Sequence, residues 1–359
     1  MKHPHRSSRK PAYILLATGL FIILVGGFAI PYAIATQNTY VREGATEAGS
    51  PLSFLPKPPP TLDVAAYDRK LFAVANYAST TPTTTPRLWP ADAVRPNVGA
   101  LLPFNRIVAY YGNFYSTRMG ILGEFEPDVV LGKLKQEKAK WEAADPATPV
   151  VLAIDYIATT AQLHPGEKGY YRLRMPDEHI EKAFTMAEQV DGIVVLEVQA
   201  GLAPLQGEIE ALGEYLKRPN GHLAIDPEFN MKGGEAPGTV IGTVSAGDVN
   251  RAAAYLASLV KEHGLPPKIL VVHRFTQRMV TNYEAIEPLP EVQIVMVMDG
   301  WGSPAKKLNT YRSFIAPEPV QFTGFKIFYK NDLKPPSERL ITPAELLKLT
   351  PQPLYIQYQ

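Results

Sequence analysis

Lys268-Ile269-Leu270-Val271-Val272-His273 and, after a polar interval, Gln293-Ile294-Val295-Met296-Val297-Met298-Asp299 share one plan. Each is a short apolar run, rich in β-branched residues, that finishes on an ionisable side chain. A run apolar at every position fits a strand buried on both faces, as parallel strands are. Working outward, the same plan recurs upstream at Arg106 to Tyr111, Val150 to Ile154, Gly192 to Val198 and His222 to Ile225. Downstream it recurs at Gly324 to Phe328 and Leu354 to Tyr358, which makes eight strands.

Helical patterns separate them, at Pro127 to Ala144, Asp177 to Gln189, Gly207 to Lys217, Ala246 to His263, Gln277 to Ile286, Pro304 to Phe314 and Pro343 to Leu349. Asp248 near the start of one, with Gly264 and Pro266 after it, are start and stop signals. Seven helices between eight strands is the count for a closed (β/α)8 TIM barrel whose last strand ends the repeat. An open doubly wound sheet would bring a glycine-rich phosphate loop after an early strand, and the sequence has none. The barrel is therefore predicted for residues 104–359.

At 359 residues, with 46% apolar and 20% charged, the chain is long enough to bury the core of one such domain. A formal charge of +1 gives no basic field to gather phosphate backbones, which excludes nucleic acid as a partner. Without cysteine there is no disulfide, thiol nucleophile, thiolate metal site or lipid-modified N-terminal cysteine. No cofactor motif is present, and nothing in the sequence sets an oligomeric state.

Lys2, Arg6, Arg9 and Lys10 precede an apolar stretch from Ala12 to Ile30 that is long enough to span a bilayer as a helix. Residues 1–10 are expected in the cytoplasm and 11–35 in the membrane, with the remainder outside. A stretch of near spanning length favours an uncleaved single-pass anchor. The alternative is a secreted chain cut after Ala35, at the small-residue sequence Ala33-Ile34-Ala35. Residues 36–103 hold Pro/Thr-rich sequence expected as spacer, with one helix near 62–77 placed to pack beneath the barrel.

In a barrel of this kind, function gathers at the C-terminal strand ends. The charged and amide residues fall there: Asp155 after strand two, Glu197 and Gln199 at strand three, and Asp226 and Glu228 at strand four. His273 ends strand five, Asp299 and Trp301 follow strand six, and Lys326 lies on strand seven. Spacing by two predicts that Glu197 with Gln199, and Asp226 with Glu228, each point to one side of their strand. Trp301 and the loop from Tyr111 to Tyr115 fall where a sugar ring could stack. Lys326 is expected chiefly to neutralise the surrounding carboxylates.

Ile225-Asp226-Pro227-Glu228-Phe229, Gly264-Leu265-Pro266-Pro267-Lys268, Val272-His273-Arg274-Phe275, Met298-Asp299-Gly300-Trp301-Gly302 and Lys326-Ile327-Phe328-Tyr329 resemble the strings of a family of exported bacterial proteins. That likeness runs from about Arg106 to the C-terminus, implies export and a barrel, and leaves the chemistry open. A second likeness is to the chitinase-type family-18 glycosidases, through Asp226-Pro227-Glu228 on strand four and Met296-Val297-Met298-Asp299 on strand six. It implies that Glu228 protonates the leaving oxygen, Asp226 orients an acetamido group and Asp299 supports the charged transition state. The sequence departs from that family where Ala224 replaces an Asp, Met298 replaces a Tyr, and strand three lacks a glycine-rich end.

Three functions follow from the residues. In carbohydrate hydrolysis at the cell surface, Glu228, Asp226 and Asp299 are catalytic, while Glu197, Gln199, His273, Trp301, Lys326 and Tyr111 bind substrate. In metal-assisted chemistry, Glu197, Asp226 or Glu228, His273 and Asp299 surround a divalent ion, although no HExxH-type motif supports it. In a non-catalytic barrel, the acids serve ligand binding or structure alone.

Overall fold

The computed structural model describes residues 61–78, 84 and 86–359. The expected cytoplasmic tail, membrane segment and first part of the spacer lie outside these residues. Among the described residues, no helix is long and apolar enough to cross a membrane.

Eight parallel strands form the barrel: β1 (Arg106–Gly112), β2 (Val150–Ala161), β3 (Ile193–Val198), β4 (Gly221–Ile225), β5 (Lys268–Arg274), β6 (Val292–Met298), β7 (Phe322–Ile327) and β8 (Tyr355–Tyr358). Closure is explicit in the register, because Ile107 on β1 pairs with Val151 on β2 and with Tyr355 on β8. Alternation then separates two cores. Ile107, Ala109, Ala153, Val195, Ala224, Ile269, Val271, Val295 and Val297 fill the inside. Val108, Leu152, Val194, Leu223, Leu270, Ile294 and Phe325 face outward against the helices.

Six connections carry helix: α2 (Pro127–Ala144), α3 (Asp177–Glu188), α4 (Leu205–Glu210) with α5 (Gly213–Leu216), α6 (Ala246–His263), α7 (Pro304–Phe314) and α8 (Pro343–Leu346). Their termini follow from local chemistry. Ser245 and Asp248 form a reciprocal capping box at the start of α6, and Gly264 ends it at φ 62°. The helix predicted at Gln277 to Ile286 is absent. That connection holds two single 3₁₀ turns flanking Val280–Thr281, which pair in parallel with Val244–Ser245. Asn282 at φ 57° stops helical propagation, and the β-branched pair Val280–Thr281 prefers the extended form it takes.

The other departures also lie in the connections. The helix expected at Gly207 to Lys217 is two short helices broken at Ala211 and Leu212. β2 runs seven residues beyond its predicted end, and Thr159 to Ala161 pair antiparallel with Arg172–Arg174 to raise a wall beside the barrel mouth.

The helix expected near 62–77 is present as α1 (Val64–Ala75), capped by the Asp63 side chain on Ala66 N at 2.9 Å. Its Leu71 and Val74 pack against the inner core, so α1 closes the N-terminal end of the barrel. Residues 86–103, expected as spacer, are seated on the domain. Leu102 is fully buried with both backbone polar groups bonded by the Gln293 amide at 3.1 and 2.7 Å, and the Trp89 indole donates to Ala316 O at 2.8 Å. Trp89 and Leu102 anchor the segment while Leu88, Val94 and Val98 stay exposed, a division that a compositional average does not reveal.

Candidate active site at the barrel mouth

Toward the C-terminal strand ends the inward positions change from aliphatic to polar. Tyr111, Glu197, His273 and Lys326 come from alternate strands β1, β3, β5 and β7, the way four side chains build one barrel layer. They join in a ring. Tyr111 OH donates to Glu197 Oε1 at 2.8 Å, His273 Nε2 lies 3.0 Å from Glu197 Oε2, and Lys326 Nζ sits 3.7 Å over the Tyr111 ring. Asp299, after β6, closes the circuit at 3.1 Å from His273 Nδ1 and 3.3 Å from Lys326 Nζ.

Beneath this ring lies Asp155 on β2. Its Oδ2 accepts from Tyr355 OH at 2.6 Å and from the Gln357 amide. Above the ring opens a cavity of about 480 Å³. Tyr111, Gln199, Asp226, Glu228, Asp299, Trp301 and Lys326 line it, along with Phe229, Phe275 and Phe328. Of the nine residues predicted for the site, seven therefore line one cavity. Glu197 and His273 lie under its floor and are fully buried.

One geometric expectation fails although its residues meet. β4 stops at Ile225, so Asp226 and Glu228 are not alternate residues of a strand. Pro227–Phe229 form a 3₁₀ turn that Asp226 caps, its Oδ1 accepting from Glu228 N at 3.0 Å. Asp caps and proline in a first turn both favour leaving the strand here. Glu228 reaches the cavity from that turn. Glu197 and Gln199 do share a side: the Gln199 amide donates to Glu197 Oε1 at 3.1 Å and to Tyr111 OH at 3.2 Å.

The aromatics divide. Tyr111 is 3% exposed with its face taken by Lys326, so it floors the cavity. Trp301 is 47% exposed, and the ammonium groups of Lys306 and Lys334 approach its ring at 4.8 and 5.1 Å. These are flexible side chains that a ligand ring can displace.

Electrostatics separate the acids into two sets. Burial raises the Asp299 and Glu197 carboxyls, but Lys326 and His273 outweigh it and hold both below the usual range. Burial lowers the His273 imidazole, yet Asp299 and Glu197 drive it well above its ordinary value, so it is an imidazolium between two carboxylates. Asp226 moves the other way. Burial and the neighbouring Glu197 charge raise it well above the usual range. Burial and the Asp299 charge likewise push Glu228 up to about 7, and burial and Glu197 push Asp155 to about 7.

The loops after β6 and β7 are tied by a buried ion pair. Lys307 Nζ lies 3.0 Å from Asp332 Oδ2 and donates to Gly300 O at 2.8 Å. Asp332 accepts from Gly302 N and Phe328 N, each at 2.9 Å. Burial lowers the Lys307 ammonium to about 8. This clamp holds the segments carrying Asp299, Trp301 and Phe328.

The sequence reading puts Asp155 at a strand end without placing it in the site, and gives Tyr355, Gln357, Phe275 and Phe328 no site role. Period-two reading of β8 was the available signal, since Tyr355 and Gln357 share the inward side.

No family model and no curated protein matches the sequence. The chain is similar to solved structures at low identity and low TM-score. The structure of ZgEngAGH5_4 in complex with a cellotriose is 12% identical at a TM-score of 0.39, covering 72% of this chain and 88% of that one. A ruminal GH26 endo-beta-1,4-mannanase is 11% identical at 0.30, covering 70% and 58%. A sugar phosphate isomerase/epimerase from Parabacteroides distasonis is 8% identical at 0.30, covering 77% and 90%.

Proposed function

We propose that the barrel mouth cleaves glycosidic bonds, with Glu228 as the general acid and Asp299 as its ionised partner. The observation that carries the reading is the split between these two carboxyls in one cavity: Glu228 is pushed up to about 7 while Asp299 is held low. A protonated acid facing an ionised carboxylate is the minimal equipment for acetal cleavage. Asp226, deeper and protonated, positions Glu228 through its bond to the Glu228 amide. Gln199 and Lys326 supply polar contacts, and Trp301 with Phe229 and Phe275 supplies apolar faces for sugar rings.

Turnover should fall as pH rises through about 7, where Glu228 loses the proton it must donate. The test is hydrolysis of wall-derived and chitin-like oligosaccharides by wild type, Glu228→Gln and Asp299→Asn. Loss of about a thousandfold in kcat with sugar binding retained supports the assignment. A wild type that cleaves nothing, or a Glu228→Gln variant with normal turnover, removes it.

The site is further proposed to work outside the cytoplasmic membrane, anchored by residues 11–35. The basic tail ahead of that apolar stretch supports this orientation. A reporter active only in the exported compartment, fused after Pro103, should function; activity of a cytoplasm-only reporter there refutes the topology.

A further inference from the structure

We propose that Asp155, Glu197 and His273 form a site for one divalent transition ion, Zn²⁺ or Mn²⁺, beneath the floor of the cavity. Each offers one ligand atom, and the three atoms lie within 4.8 Å of one another with all three residues fully buried. Its three ligands are distinct from Glu228 and Asp299 of the glycosidase reading, although Asp299 touches both sites through His273.

Unpartnered atoms are the second observation. Asp155 Oδ1, Glu197 Oε2 and His273 Nε2 are buried without a hydrogen-bond partner. His273 Nε2 and Glu197 Oε2 lie 3.0 Å apart but off the line of a hydrogen bond. Two ligand atoms each about 2.1 Å from one metal are separated by about 3.0 Å at octahedral right angles and about 3.4 Å at tetrahedral angles, so the pair is close to the edge a coordination shell needs. Asp155, unlike Glu197 and Asp299, has no cation within ion-pair distance among the described residues. Lys326 is committed elsewhere, to Asp299 and the Tyr111 face.

The surroundings have the form of a metal site's outer contacts. Asp299 Oδ2 lies 3.1 Å from His273 Nδ1, beside the ring nitrogen that does not face Glu197, although this pair too is off hydrogen-bond alignment. Tyr355 OH and the Gln357 amide hold Asp155 through Oδ2, which leaves Oδ1 for coordination. One imidazole with two carboxylates suits Zn²⁺ or Mn²⁺ better than Ca²⁺, which prefers oxygen alone. A ligating imidazole is neutral, so binding requires the His273 ring to release the proton on Nε2.

The experiment uses the full-length protein, stripped with a chelator and titrated with MnCl₂ and ZnCl₂ by calorimetry. One ion per chain is expected, with a raised Tm. Tyr355→Phe, which removes an outer contact of Asp155, should weaken binding about ten- to a hundredfold, and Asp155→Asn should abolish it. Should Asp155→Asn fail to fold, spin-echo spectroscopy of Mn²⁺ bound to wild type decides instead, by showing a single imidazole nitrogen. Absence of binding at millimolar metal, binding unchanged in Asp155→Asn and Tyr355→Phe, or a Mn²⁺ spectrum without imidazole overturns the proposal. Hydrolytic failure of Glu228→Gln leaves these readouts untouched, so the two proposals fail separately.

Discussion

The inside of this barrel has two halves with equal burial and opposite chemistry. Toward the N-terminal strand ends, Ile107, Ile193, Ile269, Phe322, Val195, Val271 and Val295 pack against one another and α1, all 7% exposed or less. Toward the C-terminal ends, Asp155, Glu197, Asp226, His273, Asp299 and Lys326 are equally hidden. The lower half is stable because nothing in it requires water. The upper half is tolerable only because every charge is matched or protonated. Two positions along a strand separate these regimes: Val271 from His273, Val195 from Glu197.

The sharpest way to break this contrast is to move a carboxylate down one inward position. Val271→Asp has no cation to meet it and should destabilise by more than about 4 kcal/mol, giving no soluble folded protein. A cooperative denaturation curve near that of wild type would show that the lower half admits water.

Removing a cation from the upper half comes next. His273→Leu leaves Glu197 and Asp299 short of their shared imidazolium and should cost about 3–5 kcal/mol by chemical denaturation. A change under about 1 kcal/mol would mean that these acids are already neutral.

The carboxyls also report on one another. Because the Asp299 charge helps hold Glu228 up to about 7, Asp299→Asn should lower the Glu228 titration toward the ordinary glutamate range. Carbon NMR of labelled glutamate measures it, and an upward or absent shift would remove Asp299 as the cause. The sign for stability follows: the folded state holds a proton on Glu228 that the unfolded chain releases at lower pH, so this group favours folding below its unfolded value and loses that contribution as pH climbs to about 7.

The smallest effect is expected at Asp226. Its carboxyl retains a proton, so the isosteric amide in Asp226→Asn should change stability by less than about 1 kcal/mol. A loss beyond about 2 kcal/mol would show that the group is ionised and paired.

The upper half was the more legible in sequence, since an ionisable residue ending an apolar run stands out in one dimension. All eight strands were readable for the same reason: Val, Ile and Leu runs such as Ile269 to Val272 have few alternatives in a chain of this length. What escaped depends on contacts across the barrel. Tyr355 and Gln357 belong to the site because β8 pairs with β1, and their side chains reach past it to Asp155 on β2, 200 residues earlier in the chain. The reading of Asp226 and Glu228 as pointing to one side of a strand failed because a cap and a proline turn the backbone directly after Ile225. The helix expected at Gln277 to Ile286 failed where a left-handed Asn282 and a pair of β-branched residues outweighed an apolar spacing.

The buried pair of Lys307 and Asp332 has a consequence for anyone altering this mouth. Its two charges close over three backbone groups from two loops, so those loops accept change as a unit or not at all. Trp301, Lys306 and Lys334 sit on the rim of that clamp, outside its bonds. A library built to alter specificity should diversify those three and leave Gly300, Gly302, Lys307, Phe328 and Asp332 untouched, because the latter set determines whether a mouth exists for the former to modify.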